Sequence, residues 1–564
     1  MMPAIDSMAL GATMILPRRV HALIAIGAMA LATAVTAPAS AGPEPWTSTV
    51  PVVNQVASSP FQAGGYPVPA GQTVPVPGSC RLGDYNANRS ESWIAVKPGT
   101  EDLVGTSKVF FEKYSTFYDF HLGSYTIQAG TPAGNNIVHG YECVSTGTQE
   151  MPPSWMNNTD PNVDFDTRGR AYQVTLPFNP WWTNHLHPDA AIGVSYSDDL
   201  GRTWVTGNGG RYLDRVPNQS SKTIGGVEDK QWIAVNHIPG NRYQDHVYAM
   251  WTVFNGSTSK IKVSVSRDRG RTFSAPATLT APPATGPSNT YIYPSVDAAG
   301  HVYASFAAFP ACCGSPATLW VTRSPDDGVT WGPFVEVAST ATAPGCCLPN
   351  TTFRDGIVEH FAASPTHPGH LYLVWEAWDG TQMDVRFSQS TDGGLTWSAP
   401  LTINDATPTD QFQPSVAAGP GGAVAVAFYD RRAPCPDDPG VLPGHVGRTN
   451  FCIDTTLQAF KDSGAGAVPV GGNVRISEFT WDPEQPGQTI DGIDQMACAS
   501  HTDPCVSNAF IGDYFGLAVS ANNIYALMVS THYPSGVHGD GGQDVHYQQQ
   551  VLATVPRTAF GQHY

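Results

Sequence analysis

Apolar residues recur along this chain in short runs of strand length, and no run shows the spacing of an amphipathic helix. Residues 261–265 (IKVSV) alternate apolar and polar side chains, as a half-buried strand does. A second recurring element consists of a short apolar strand, a turn and another strand. This element occurs seven times. The seven copies are 93–96 (WIAV), 163–166 (VDFD), 232–235 (WIAV), 293–296 (YPSV), 360–363 (HFAA), 413–416 (QPSV) and 514–517 (YFGL).

This repetition predicts an all-β fold, a β-propeller of four-stranded blades. Each unit takes about 65 residues, enough for a four-stranded sheet with long loops. We favour seven blades, and we expect the last strand, near residues 545–551, to pair with the first blade and close the ring. Because units one, six and seven lack the turn motif described next, a six-bladed ring with an elaborated end remains an alternative.

Four of the units also share the pattern S-x-D-x-G-x-T-W, with Phe in place of Trp in one copy. The pattern fits a hairpin turn in which the Asp accepts backbone N–H groups, the Gly supplies a positive φ and the aromatic ring packs beneath. A fixed recurrence of this length indicates a supersecondary unit repeated in space. The copies are 197–204 (SDDLGRTW), 266–273 (SRDRGRTF), 324–331 (SPDDGVTW) and 390–397 (STDGGLTW).

Composition narrows the class of protein. The 564 residues include 29 Lys or Arg and 47 Asp or Glu, giving a net charge of −18, yet only 13% of residues are charged. With 41% hydrophobic residues the chain is too apolar for a disordered acidic protein. It is too acidic for general nucleic-acid binding, which needs clustered Lys and Arg. The 56 glycines and 48 prolines suit a fold rich in turns.

The first 41 residues predict an export signal. Arg18 and Arg19 precede an apolar run at 20–35, and residues 39–41 (ASA) form a small-residue cleavage site. The alternative is a membrane anchor, but this run falls short of the roughly 20 residues needed to span a bilayer. We therefore expect a secreted protein, an N-terminal extension at 42–79, and a single propeller domain at 80–564 that does not contact the membrane.

Ten cysteines follow the predicted cleavage site, which fits an oxidising compartment and disulfide bonds. Zinc is the rival interpretation, but the C-x2-C spacing of common zinc sites is absent. Pairing between the vicinal pairs at 312–313 and 346–347 is favoured over a bond within either pair. The sequence leaves the connectivity open.

Polar residues concentrate at the starting ends of the seven first strands. If those strands line a central channel, their starting ends converge on one mouth, where propellers bind ligands. The alternative is a set of buried ion pairs that joins neighbouring blades. The residues are Arg89, Glu91, Asp160, Asn162, Asp229, Lys230, Tyr291, Arg354, Asp355, Glu359, Asp410, Gln411, Asp513 and Tyr514, to which Asp430, Arg431, Arg432 and Arg475 add later strand ends.

The S-x-D-x-G-x-T-W turns are those of Asp-box (BNR) proteins, and over nearly all of the predicted mature chain the sequence resembles secreted sialidase-like propellers. In such proteins the Asp-box is a structural turn on the outer rim, away from the binding face. The resemblance therefore assigns these turns no chemistry. It also implies that Arg202, Arg267, Arg269 and Arg271, which belong to them, are solvated rim charges.

The resemblance implies a particular site. Sialidases clamp the sugar carboxylate with arginines, attack the sugar with a tyrosine that a glutamate activates, and use an aspartate as acid/base. Here the match is by residue type, because the N-terminal F/Y-R-I-P segment is absent and the nearest string is 353–356 (FRDG). The candidate catalytic residues are Asp229, Glu359, Asp430 and Tyr514. The candidate substrate-binding residues are Arg354, Arg431, Arg432, Arg475, Tyr429, Lys230 and Asp513.

We therefore expect a secreted, monomeric, sialidase-like glycoside hydrolase that releases a terminal sugar, with acidic sugars among the candidates, from a carbohydrate or glycoconjugate. A propeller that binds a glycan or protein through the same mouth without catalysis is the main alternative, and a structural surface protein is a third. We expect no cofactor. Calcium is a weaker alternative at the acidic loop of Asp491, Asp494 and Asp503, together with Asp437 and Asp438.

Overall fold

The protein is described from a computed structural model. The description covers residues 48–58, 88–110, 120–138, 157–178, 190–215, 227–255, 258–280, 285–309, 316–343, 348, 351, 353–355, 359–433, 452–483, 489–490, 493–494, 509–533, 535–536, 538–562 and 564. The predicted signal segment, nine of the ten cysteines and, apart from the backbone of Asp494, the proposed calcium loop lie outside these residues. Cys452 is buried and disulfide-bonded.

Seven four-stranded antiparallel blades form the fold, so the prediction of a seven-bladed, all-β propeller is confirmed. In blade 2 the first strand is split in two, and an additional short strand pairs with the third. The strands of blade 1 are Arg89–Val96, Leu103–Phe110, Phe120–Gln128 and Thr131–Ile137; of blade 2, Asn157–Thr159 with Asp164–Phe165, Ala171–Phe178, Ala191–Ser197, Val205–Thr206 and Asp214–Arg215; and of blade 3, Val227–Val235, Val247–Asn255, Thr258–Ser266 and Ala277–Thr278.

The remaining blades repeat this order. The strands of blade 4 are Ser288–Val296, Val302–Phe309, Ala317–Ser324 and Val335–Thr340; of blade 5, Glu359–Ala363, Leu371–Trp378, Met383–Ser390 and Leu401–Thr402; of blade 6, Gln411–Ala418, Ala423–Asp430, Asp454–Asp462 and Ala467–Arg475; and of blade 7, Gly516–Val519, Asn523–Ser530, Gln549–Pro556 and Val53–Val56. Outside the blades, Thr489–Ile490 pairs with Ile493–Asp494. The described residues include short 3₁₀ turns at Asn208–Gly210, Pro420–Gly422 and Arg557–Phe560. None of the helices within the described ranges has the length and apolar character to cross a membrane.

The N-terminal strand closes the ring, which corrects the closure expected from the sequence. Val53–Val56, inside the segment set apart as an extension, is the outermost strand of blade 7, where Val53 pairs with Thr554 and Val56 with Val551. The strand predicted near residues 545–551 was expected to pair with the first blade. The observed strand, Gln549–Pro556, is instead the third strand of blade 7. Closure in this manner removes an open sheet edge from the third strand of that blade.

The first strands line the hub, because those of neighbouring blades contact one another. Aromatic rings fill the middle of the hub in edge-on contacts: the ring centroids of Trp93 and Trp232 lie 4.6 Å apart, and those of Tyr293 and His360 lie 4.7 Å apart. Tyr514 packs on Trp232 at 4.9 Å. Since the predicted runs 93–96 and 232–235 begin with these tryptophans, the apolar repeats found in the sequence correspond to the packed centre of the wheel.

The four Asp-box segments form the predicted turns between the third and fourth strands. In the first, Thr203 donates its backbone N–H to Asp199 at 2.8 Å and its hydroxyl to the same carboxylate at 2.6 Å, while Gly201 has φ 75° and donates to Ser197 Oγ. The other three copies repeat these bonds. Because antiparallel strands alternate in direction, these turns lie at the end of the blade opposite to the starting ends of the first strands.

Two of the Asp-box arginines join blades, which corrects the expectation that they are solvated rim charges. Arg267 Nε lies 2.6 Å from Asp327 Oδ2 of the next blade, and Arg269 lies 2.6 Å from Asp166 of the preceding blade. The second strands add hydrogen bonds between blades, since Tyr248 donates its hydroxyl to Asp327 at 2.7 Å. These charge-assisted contacts fix blade 3 against blades 2 and 4.

Candidate functional site

A left-handed residue interrupts the first strand at an equivalent place in five blades. In blades 1, 3, 4 and 6 the register with the second strand shifts at this point, which defines a β-bulge, and in blade 2 the residue follows the first half of the split strand. A non-glycine residue in this conformation costs roughly 1–2 kcal/mol, and bulges redirect side chains next to functional sites. The residues, with φ between 46° and 57°, are Glu91, Asp160, Lys230, Tyr291 and Gln413.

Several of these side chains meet at one carboxylate above the aromatic centre. Lys230 Nζ lies 2.7 Å from Asp513 Oδ2 and 3.9 Å from Asp160 Oδ2. Arg354 approaches the same carboxylate with both Nε, at 2.8 Å from Oδ1, and Nη2, at 2.5 Å from Oδ2. Lys230 also lies 5.5 Å from the ring centre of Tyr291. Two cations from different blades therefore hold Asp513 in a fixed position.

The cluster extends into blade 1. Lys108 Nζ, on the second strand, lies 2.6 Å from Glu91 Oε2, and both side chains are only 1% exposed. Phe510 covers this side, since Lys108 lies 4.7 Å and the Arg354 guanidinium 5.2 Å from the centre of its ring. We refer to Glu91, Lys108, Asp160, Lys230, Arg354 and Asp513 as the central cluster.

Burial and neighbouring charges shift the pKa values of the carboxyl groups in this cluster in opposite directions. Burial alone would raise the pKa of Asp513, but the positive charges of Arg354 and Lys230 outweigh it and hold that pKa well below its usual value. Burial is also the largest influence on Asp160 and would raise its pKa, but nearby positive charges, foremost that of Lys230, together lower it. Burial raises the pKa of Glu91 despite its contact with Lys108. Ionised and more readily protonated carboxyl groups thus lie within one small region.

A second group of carboxyl groups lies beside Arg354. Burial raises the pKa of Asp355 to about 8, and the charges of Asp410 and Asp513 act in the same direction. Burial and the neighbouring Asp355 raise the pKa of Glu376 well above its usual range. Titratable groups with shifts in opposite directions are characteristic of acid/base sites, although structural ion pairs produce shifts as well.

Three of the predicted catalytic residues lie near this region in different settings. Tyr514 donates its hydroxyl to the carbonyl of Pro161 at 3.2 Å, and burial together with the charge of Glu91 raises its pKa. Asp229 precedes Lys230 and accepts its backbone N–H at 2.9 Å. Glu359 is fully buried, and burial raises its pKa well above the usual range. A tyrosine with a raised pKa is a weak nucleophile at neutral pH.

The remaining predicted residues belong to blade 6 and pair there. Arg431 Nη1 lies 2.5 Å from Asp410, Arg432 lies 2.6 Å from Asp430, and Arg475 lies 2.7 Å from Asp454. Tyr429 lies in the core between blades 6 and 7, with its ring centre 4.6 Å from that of Phe515. Arg354, Lys230 and Asp513 are therefore brought together, whereas the other three candidate arginines each contact a carboxylate in or next to blade 6.

Lys108 and Glu376 belong to the site but were missed in the sequence. Both lie at the finishing end of a second strand, which antiparallel pairing places beside the starting end of the first strand: Lys108 pairs with Ser90, and Trp375, which precedes Glu376, pairs with Glu359. The same position in blade 6, at Asp430, was recognised. A search for charged residues at the finishing end of the second strand in every blade would have found both Lys108 and Glu376.

The opposite end of the hub holds a cavity of about 200 Å³. It lies beyond the aromatic rings and is lined by the finishing ends of the first strands, with the polar side chains of Asp164 and His237 on one wall. As for metal ions, within the described ranges no three His, Cys, Asp or Glu side chains form a group that could hold one. The side chains proposed to bind calcium lie outside those ranges.

Comparisons with known proteins place the chain among distant structural neighbours. No family model matches, and no curated protein matches. Solved β-propellers that resemble it include the polysaccharide lyase Uly1, which is 10% identical over 90% of this chain and 98% of its own, with a TM-score of 0.43. A Trypanosoma rangeli sialidase is 12% identical over 89% of this chain and 58% of its own, with a TM-score of 0.40. An α-L-arabinofuranosidase of Fusarium graminearum is 13% identical over 70% of this chain and 92% of its own, with a TM-score of 0.36. At these identities and TM-scores the likeness leaves the activity of this chain to be argued from its own residues.

Proposed function

We propose that this protein is a secreted, monomeric, carbohydrate-active propeller that hydrolyses glycosidic bonds at the central cluster. The observation that carries the proposal is the contrast between Asp513, which two cations keep ionised, and the neighbouring Asp355, which has a raised pKa. Hydrolysis of a glycoside uses one carboxyl group as acid and another as base, nucleophile or stabiliser of positive charge. The opposite directions of the two pKa shifts favour one carboxyl group for each role.

The cations suit a polar, hydroxyl-rich ligand. The side chains of Lys230 and Arg354 are 10% and 17% exposed, more than the carboxyl groups that they contact. Such groups can donate hydrogen bonds to sugar hydroxyls or to a sugar carboxylate while Asp513 holds them in position. Within the general proposal, a sialidase-like specificity for a terminal acidic sugar assigns Arg354 to the carboxylate.

Carboxylate chemistry fits this arrangement better than a tyrosine nucleophile does. The hydroxyl of Tyr514 is engaged with Pro161, and its pKa is raised by burial and by the nearby charges of Glu91 and Asp160. We therefore assign Tyr514 to the aromatic support of the site, with Asp513 as the ionised carboxylate.

A hydrolytic assay tests the proposal. Protein beginning at Gly42, with its disulfides intact, is incubated with aryl glycosides, sialosides, arabinans and uronic-acid polymers, and released sugar and new reducing ends are measured. We expect turnover of at least one substrate, a loss of about 100-fold in Asp513→Asn, and unchanged turnover in Glu336→Gln, an exposed outer-strand control. Absence of product across the panel would contradict the proposal.

Binding without catalysis is the second candidate function. It is favoured by the ion pairs of Lys230, Arg354 and Arg431, since a cation already paired with a carboxylate has less charge to offer a transition state. Calorimetric titration with the same glycans distinguishes the two candidates. Saturable binding that Lys230→Met weakens, without product, would support this second function.

A further inference from the structure

Asp355 and Glu376 form a pair of buried carboxyl groups beside the central cluster. Asp355 precedes the first strand of blade 5 and Glu376 lies near the end of the second; they are 7% and 6% exposed. No N–H or O–H group among the described residues donates to either oxygen of Asp355. Its carboxyl group instead lies within hydrogen-bonding reach of the Glu376 carboxyl group.

Two carboxylates in this position require a proton between them. A carboxylate only accepts hydrogen bonds, so contact between two carboxyl groups is favourable when one of them is protonated. Burial raises the pKa of both groups, and the contact between them lowers the pKa of Asp355 but raises that of Glu376, so Glu376 is the donor within the contact. The charges of Asp410 and Asp513 raise the pKa of Asp355. Arg431, the cation that acts on Asp355, opposes this shift but is itself bound to Asp410 at 2.5 Å.

Two connections join this pair to the central cluster. Arg354, the neighbour of Asp355 in the chain, holds both oxygens of Asp513. Glu376 Oε2 accepts the backbone N–H of Gln413 at 3.0 Å, and the side chain of Gln413 donates to the carbonyl of Gly512, the residue before Asp513, at 2.9 Å. The pair and the ionised carboxylate are therefore held at a fixed distance from each other.

We propose that the Asp355–Glu376 pair shares one proton and is the proton donor of the site, an inference that rests on the proposed hydrolase function. In the first step its proton moves to the glycosidic oxygen, the bond between that oxygen and the sugar carbon breaks, and the leaving group departs as an alcohol. In the second step the oxygen of a water molecule bonds to the sugar carbon, and a proton of that water returns to the pair. Water is the only co-reactant.

Leaving groups of graded acidity test the assignment. A proton donor matters most when the leaving group is a poor one. We expect Asp355→Asn to slow hydrolysis of alkyl and weakly acidic aryl glycosides by about 100-fold, but that of the most acidic aryl leaving groups by less than about 10-fold. The alkaline fall of kcat/KM in the wild type should be absent from the variant. Uniform slowing of all substrates, with the alkaline limb retained, would overturn the assignment.

A spectroscopic measurement tests the shared proton without turnover. Infrared difference spectra at pH 6 between the wild type and Asp355→Asn, and between the wild type and Glu376→Gln, should each show loss of a protonated-carboxyl C=O band, whereas Glu336→Gln should not. Circular dichroism checks that each variant is folded. Absence of the band from both differences would overturn the shared proton. A band in an enzyme that hydrolyses nothing would reject the proposed function and the donor role, while an active enzyme without leaving-group dependence would reject the donor role alone.

Discussion

Lys230 and Asp513, which are 283 residues apart in the chain, meet across the hub with 2.7 Å between Nζ and Oδ2. Lys230 occupies the bulge in the first strand of blade 3, and Asp513 lies just before the first strand of blade 7. Blades that are not neighbours are thus joined at their starting ends. Because the contact is 90% or more buried on each side, removal of either partner would leave an uncompensated buried charge.

Replacing Lys230 should destabilise the folded protein. Lys230→Met leaves Asp513 with Arg354 alone and removes the cation next to Asp160, so we expect a loss of about 3 kcal/mol in the free energy of unfolding. Urea denaturation at pH 7 measures this loss. Lys260→Met, at an exposed position in the same blade, is the matched control and should change stability by less than about 0.5 kcal/mol. Equal effects of the two substitutions would mean that the buried pair is not stabilising.

Repetition made the blades and part of the site predictable. Seven aligned units place Glu91, Asp160, Lys230 and Asp513 near the starting ends of their first strands, so their convergence follows from the ring itself. The repeat does not predict which oppositely charged residue each of these side chains contacts. Arg431 resembles Arg354 in the sequence, but the nearest acid to Arg431 is Asp410 in its own blade. Such choices depend on distances across the hub, which the sequence pattern does not contain.

Ring closure was also hard to derive from the sequence. Four residues, Val53–Val56, find their partner strand about 500 positions later, and many short apolar strands in this chain have a similar pattern. Register between strands so far apart depends on the curvature of the whole ring. A local motif therefore predicts a blade more readily than it predicts which strand completes the last one.

A tyrosine hydroxyl should contribute measurably to the contact between blades 3 and 4. Tyr248 donates to Asp327, which also accepts hydrogen bonds from His246 and Arg267. Tyr248→Phe removes one donor from a buried carboxylate, and we expect the free energy of unfolding to fall by about 2 kcal/mol. Tyr243→Phe is the control, since its hydroxyl forms no hydrogen bond with any described residue. If both variants unfold at the same urea concentration, this contact does not stabilise the junction.

The junction between blades 7 and 1 should weaken in acid. Glu101 accepts hydrogen bonds from Ser520, Tyr525, Asn523 and Asn522; burial, the largest single influence, would raise its pKa, but these four bonds together lower it. A lowered pKa in the folded state stabilises the protein above the unfolded value, about 4.3, and the contribution is lost as pH falls through the folded pKa.

Unfolding free energies between pH 7 and pH 3 check this dependence. Glu101→Gln should be less stable than the wild type by about 1 kcal/mol at pH 7, a value that allows for the partial exposure of the carboxylate. The difference should shrink as pH falls from 7 towards 3, because the wild-type side chain takes up a proton as pH falls through its folded pKa. Glu336→Gln should follow the wild type throughout. A difference that stays constant with pH would show that the charge of Glu101 is not involved.

Gly512 should tolerate no side chain, because of its approach to the bulge of blade 1. It has φ 97°, and an added Cβ would lie 2.4 Å from the backbone nitrogen of Glu91. Gly512→Ala therefore has to move either that bulge or the adjoining Asp513, and we expect a loss of about 3 kcal/mol in stability together with weakened glycan binding. Gly286→Ala is a sharp control, because Gly286 also has a positive φ, 93°, but an added Cβ there would meet nothing within 4 Å. The two variants share the backbone strain and differ in the collision, so equal losses would show that strain alone limits both positions and that the spacing between Asp513 and Glu91 is not fixed by Gly512.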